Sequence, residues 1–278
     1  MKKIILNADD FGRHEKINEA VKKSVETGAL RSATLMPSGA AFDDAVNIAK
    51  NTPNLGVGIH LTLVDDTPVS NPKDIPTLLK DGRFYPNYME FLKAYFTGKI
   101  NREEIRTELA AQFEKMEKTK IKFTHIDSHQ HLHHTPGILE TAISLAKIAG
   151  INKMRISHTS LFAGENTNIK QFIGRAGLFG LANYAKFICK RHNFKFPDNF
   201  AGIVAGEAVT KYFLVKEIQN LKEGATEVMM HPATSNAEIT ATSNWEHDFV
   251  AEFQAASSKD IADLLKEKDI DIINYNGI

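Results

Sequence analysis

The sequence predicts an α/β fold organised around a parallel sheet. Two observations carry that prediction. Short apolar runs alternate with helical patterns along nearly all of the 278 residues, the order expected of strand–helix units. Acidic, imidazole and guanidinium side chains also collect where those runs end, the side on which parallel α/β folds build their sites. About seven strands are read, a number that suits an incomplete barrel as well as an open doubly wound sheet.

The elements follow in order. A run at 3–8 (KIILNA) leads to a helical pattern over 15–27, and a run at 32–37 (SATLMP) to a helix over 41–50. The run at 55–61 (LGVGIHL) is followed, after a break, by a helix over 102–118. There Ile105, Leu109, Gln112, Phe113 and Met116 recur at three- and four-residue spacing with charges between them, an amphipathic helix. Runs at 122–127 (KFTHID), 153–157 (KMRIS), 226–231 (TEVMMH) and 270–274 (IDIIN) alternate with helices over 136–149, 211–221 and 258–267.

Two stretches interrupt the rhythm. Residues 64–100 hold four of the nine prolines with Phe84, Tyr85, Tyr88, Phe91, Tyr95 and Phe96, and residues 158–206 are rich in Phe and Gly. Both are read as insertions in a single domain over 1–278, packed over the barrel or roofing a site.

Composition excludes several classes. Thirty-four basic residues balance 34 acidic ones, which argues against nucleic acid or an anionic membrane as partner. The lone Cys189 excludes a disulfide framework and a Cys-rich zinc site. The apolar run after Met1 is too short for a signal peptide, and no segment reaches the roughly 18 apolar residues of a membrane span. A cytoplasmic protein is expected. Histidine is the outlier: of eleven, five lie between His125 and His134.

The polar residues at strand ends are Asn7, Asp9 and Asp10 after the first run, His60 after the third, and His125, Asp127 and His129 at the fourth. Arg155 lies in the fifth and His231 ends the sixth. Asp10 also suits a helix N-cap, but that explains one aspartate of two. One carboxylate with two imidazoles suits Zn²⁺, with Mg²⁺ preferring more oxygen. If the segment from Thr124 to His133 stays extended, His125, Asp127, His129, His131 and His133 share a side, too many ligands for one ion. Asp127 then suits the orienting of an imidazole.

Asn7-Ala-Asp-Asp-Phe-Gly12, Gly58-Ile-His-Leu-Thr62, Thr124-His-Ile-Asp-Ser-His129 and Met230-His-Pro232 resemble four motifs of the YdjC/ChbG family of carbohydrate deacetylases. The resemblance spans nearly the whole chain. It implies a deformed seven-stranded (β/α) barrel of the glycoside hydrolase/deacetylase type. It implies one divalent metal, zinc preferred with magnesium or another divalent ion as substitute, on Asp10, His60 and His129. It further implies Asp9 as general base, His231 as general acid and Arg155 as the group that steadies the base.

The implied activity removes acetyl from an N-acetylated sugar of the chito-oligosaccharide type. The family and the aromatic insertions suggest a homodimer. Gln130 and Ala233 depart from the family pattern without touching an implied ligand. Two other readings stand beside this one. They are a metal-dependent hydrolase of a phosphoester or cyclic amide, for which His129-Gln-His131 is a motif, and a sugar-binding barrel without catalysis. Retention of Asp9 and His231 speaks against the binder, which needs neither acid nor base.

Overall fold

The computed structural model describes residues 1–158, 169–203, 208–243, 245 and 247–278. Its first half runs β1 (Lys2–Phe11), α1 (Glu15–Thr27), β2 (Ser32–Leu35), α2 (Phe42–Lys50) and β3 (Gly56–Leu61). A small hairpin of β4 (Leu79–Lys80) and β5 (Arg83–Phe84) follows, then α3 (Tyr88–Phe96) and α4 (Arg102–Lys118). The second half runs β6 (Ile126–Ser128), α5 (Ile138–Ile148), α6 (Ile169–Arg191), β7 (Asn199–Ala201), α7 (Lys211–Gln219) and β8 (Gly224–Met230). It ends with α8 (Asn236–Thr240), α9 (Phe249–Ala256), α10 (Lys259–Glu267) and β9 (Asp271–Ile272).

The main sheet is parallel, in the order β6-β3-β2-β1-β8-β7, with β9 pairing only at Lys3 and Ile4 of β1. Six strands therefore curl into a half-barrel. Two isolated parallel bridges, Ile126 with Met154 and Lys153 with Lys195, carry the pairing on from β6 toward β7. The result is the deformed seven-stranded (β/α) barrel, its seventh position held by bridges.

Alternation along the strands divides the buried residues in two. Ile4, Leu6 and Ala8 of β1, Val57, Ile59 and Leu61 of β3, and Val228 and Met230 of β8 join the apolar core shared with the helices. Their neighbours on the opposite face are Asn7 and Asp9, His60, and Glu227, with Ser32 and Thr34 of β2 and Asp127 of β6. All of these are buried. The barrel lumen is thus a polar network inside an apolar shell.

Two sequence expectations need correction. The strand expected at 153–157 makes only bridge-type pairs: Ile126 N–H donates to Lys153 O, Arg155 N–H to Ile126 O and Met154 N–H to Lys195 O, each at 3.0 Å. The stretch 158–206 is not merely an insertion, because it contains α6 and β7. Its parts at 159–168 and 204–207, with Phe162, lie outside the described residues. Asp10, for which the sequence favoured a functional role over a helix N-cap, does not cap α1. His14 does, accepting from Lys16 N–H through Nδ1 at 3.1 Å.

Candidate active site and metal centre

Asp9 is buried in the lumen, and both its oxygens accept from Arg155, Nη1 to Oδ2 and Nη2 to Oδ1, at 2.6 Å each. Asn7 Nδ2 donates to Oδ1 at 2.9 Å. Burial favours the neutral acid, but the Arg155 guanidinium outweighs it and holds the Asp9 carboxyl well below the usual carboxylate range. Arg155 is fully buried and meets two further carboxylates. Its Nη1 lies 2.7 Å from Asp127 Oδ2, and its Nε donates to Glu227 Oε1 at 2.9 Å. Tyr275 Oη donates to the other Glu227 oxygen at 2.6 Å.

Asp10, one residue on, takes a left-handed backbone (φ 58°) that turns it from the strand. There it meets His60 and His129: each of the three offers a ligand atom within 4.8 Å of the other two. Asp10 Oδ1 lies 3.3 Å from His60 Nε2 and 2.9 Å from His129 Nδ1. His60 Nδ1 donates to Asp127 Oδ1 at 2.8 Å. In a neutral ring this donation leaves the Nε2 lone pair facing a carboxylate oxygen.

Neither Asp10 Oδ1 nor His60 Nε2 has a hydrogen-bond partner among the described residues, although both are buried. Two orphaned acceptors facing each other fit a cation held between them. Without one, a proton serves instead. Burial opposes charge on His60, but the Asp127 carboxylate bonded to it and the Asp10 carboxylate beside it raise its pKa to about 10. His129 is raised likewise, the pull of Asp10 overcoming burial. Arg13 closes this side, its Nη2 donating to Asp65 Oδ2 at 2.8 Å and its Nη1 to Asp10 Oδ2 at 3.3 Å.

The histidine run does not stay extended. β6 ends at Ser128, and residues 129–134 coil into a short helical turn with left-handed Gln130 (φ 50°) and His131 (φ 58°). This separates His129, at Asp10, from His131, which lies with Ser157 Oγ at 3.1 Å and with the rings of His133 and His134. His125 stacks on Tyr275 at 3.5 Å between centroids. The HxH pair therefore does not share one ligand set.

His231 completes the site from the end of β8, its Nε2 4.0 Å from Asp9 Oδ2. Burial lowers its pKa against the pull of Asp9.

The model of the YdjC-like protein family matches residues 3–267. The chain belongs to this family. A carbohydrate deacetylase of Clostridium beijerinckii is 30% identical over 99% of this chain and 100% of its own length. One of Thermoanaerobacter pseudethanolicus is 28% identical over 99% of both. Among solved structures, one from Enterococcus faecalis V583, named for cellobiose-phosphate cleavage, superimposes with a TM-score of 0.76 at 23% identity, covering 99% of this chain and 98% of that one. At that identity the likeness speaks for the fold.

This YdjC-like chain brings all six sequence-read site residues together: Asp10, His60 and His129 as one group, Asp9 and Arg155 as an ion pair beside it, and His231 at its edge. Sequence reasoning missed Glu252, Trp245 and His247. Glu252 is buried, accepts from the backbone N–H of His231, and takes His247 Nε2 at 2.8 Å and Val209 N–H at 2.8 Å. His231, His247 and Glu252 also bring ligand atoms close together, but His247 Nε2 and the backbone N–H of His231 already serve Glu252. Glu227 was missed too. Its signal was a carboxylate inside the otherwise apolar run TEVMM.

Proposed function

We propose that this chain is a metal-dependent carbohydrate deacetylase. It hydrolyses the N-acetyl group of an N-acetylated sugar, chito-oligosaccharide-like, to acetate and the free amine. The family and the names of its relatives support the class of reaction. The observation that carries the reading is the position of Asp9, ionised by Arg155, between the Asp10–His60–His129 group and His231.

Asp10, His60 and His129 would hold the cation. One carboxylate and two imidazoles match zinc better than magnesium. When bound, it supplies Lewis acidity that polarises an acetamide and acidifies water, which suits a base kept as weak as Asp9.

The chain's own groups then divide the proton work. Asp9 takes a proton from the attacking water, and Arg155 keeps both carboxylate oxygens oriented for it. Oxygen–carbon bond formation gives a tetrahedral centre. As the carbon–nitrogen bond breaks, His231 gives its proton to the departing amine, a task suited to imidazole. Asp9 and His231 on opposite ends of one short path make the two transfers complementary.

The same reading places the protein in the cytoplasm, in keeping with the lone, buried thiol of Cys189. Among the described residues no helix is long and apolar enough to cross a membrane. It also includes a homodimer, supported by exposed Tyr88, Met89 and Phe96 on α3.

Acetate release from a panel of N-acetylated sugars tests the reading. Asp9→Asn should keep metal uptake and lose turnover by about 10²–10⁴-fold. Substantial acetate release by that variant rejects Asp9 as the base. Metal uptake with no acetate from any sugar rejects the deacetylase.

A further inference from the structure

Trp245 is the one tryptophan in the chain, and it sits at His231. Its ring meets that imidazole edge-on, 4.8 Å between centroids at 88°. His247 stacks on it at 4.1 Å and 23°, and Phe249 meets it at 5.3 Å and 84°. Held by these three rings, Trp245 is still 39% exposed. His247 is in turn fixed through Nε2 to Glu252 Oε1, and Glu252 also accepts the backbone N–H of His231. One buried carboxylate therefore sets the proposed acid and the indole in register with each other.

We propose that Trp245 is the platform for the pyranose ring that bears the departing amine, a sugar subsite. The inference rests on the reading of His231 as the acid. If His231 reaches the leaving nitrogen, the sugar carbon bonded to that nitrogen lies one bond further out, and its ring falls against the nearest exposed surface, the indole. The aliphatic C–H face of a pyranose packs on the electron-rich face of an aromatic ring, while its hydroxyls remain free for water. A rigid, partly wet tryptophan offers that contact with little ordering cost, because its neighbours already hold it.

The contact is the same before and during bond breaking, so it contributes to binding and not to the barrier. A merely structural role for Trp245 would instead displace His231 and lower kcat.

Two measurements test the platform, after acetate release by the wild type has been established with N,N′-diacetylchitobiose. The first is the kinetics of Trp245→Ala and Trp245→Phe. The expected result is a KM raised roughly tenfold in Trp245→Ala with kcat held within about twofold, and partial recovery in Trp245→Phe. A fall in kcat at unchanged KM, or no change in either, overturns the proposal.

The second is intrinsic fluorescence. Trp245 is the only indole, so the emission of the Asp9→Asn variant reports on this site alone. Saturable change on titration with the same disaccharide supports the platform. Binding seen by calorimetry with unchanged emission overturns it while leaving the deacetylase standing. No acetate from the wild type with any N-acetylated sugar removes the deacetylase reading, and the platform falls with it.

Discussion

Arg155 grips both oxygens of Asp9 at 2.6 Å while lying 2.7 Å from Asp127 Oδ2 and donating to Glu227. Those carboxylates belong to β1, β6 and β8, and Arg155 itself belongs to the segment that continues the sheet by isolated bridges alone. The guanidinium thus ties the barrel's most thinly paired segment to three strands. It is also the group that keeps Asp9 ionised, so stability and the proposed chemistry share one side chain.

Arg155→Lys keeps a positive charge but loses the planar fork. An ammonium cannot satisfy three buried carboxylates in that geometry. The expected loss is about 3 kcal/mol or more in urea unfolding, together with a fall in turnover as Asp9 loses its orientation. A variant as stable as the wild type would show that the network contributes nothing to holding the strands.

The facing orphans Asp10 Oδ1 and His60 Nε2 predict metal uptake independent of any assay of activity. A site of this kind should bind one Zn²⁺ per chain, and free metal at about 100-fold its Kd should raise stability by about 2.7 kcal/mol. Chelator should reverse the gain. His60→Ala and Asp10→Ala should lose both the bound metal and the stabilisation. Elemental analysis beside thermal unfolding checks it, and a metal-independent Tm in the wild type would refute the site.

Much of this site was legible in the sequence because its residues follow apolar runs whose length fixes where the strand ends. Asp10, His60 and His231 are examples. What was not legible has physical causes. β7 is three residues of Asn-Phe-Ala, too short and too polar for a strand pattern. The left-handed pair Gln130 and His131 breaks a period that only an extended chain would keep. Trp245 and Glu252 reach His231 through helices and turns after β8, so no local spacing announces them.

Acid sensitivity follows from the histidines that the proposed chemistry does not use. His133 and His134 are buried with both Nε2 atoms at the carbonyl oxygen of Arg155, 3.1 and 3.4 Å away. Burial pulls His134 down to about 3 and His133 well below its ordinary value. Both stay neutral in the fold while the unfolded chain takes up protons below about pH 6.5. Their contribution is therefore whole above that pH and falls as the pH drops toward 3, by about 1.4 kcal/mol per histidine for each pH unit.

His60 and His129 shift the other way: between pH 7.5 and 5.5 they oppose this slope, but below about pH 5.5 they are charged in both states, so with chelator present they add no slope there. Urea unfolding with chelator at pH 5.5 and 4.5 should show the loss, and His134→Gln should remove one histidine's share. An identical slope in His134→Gln would contradict a neutral His134.

Gly58 stands on β3 two residues before His60, on the lumen face. A Cβ there would come within 2.5 Å of His125 Cε1, and His125 cannot retreat freely because it stacks on Tyr275 at 3.5 Å. Tyr275 in turn donates to Glu227. Gly58→Ala must therefore move the strand or displace the ring, at an expected cost of about 1–3 kcal/mol. Moving the strand carries His60 with it and should weaken metal affinity by about 10–100-fold, the range for a misoriented ligand. Removing the ring in His125→Ala creates room for the methyl group, so the double variant should be more stable than the sum of the single losses predicts. Urea unfolding of the four proteins measures the coupling, and additive losses would mean that the two residues do not compete for the same space.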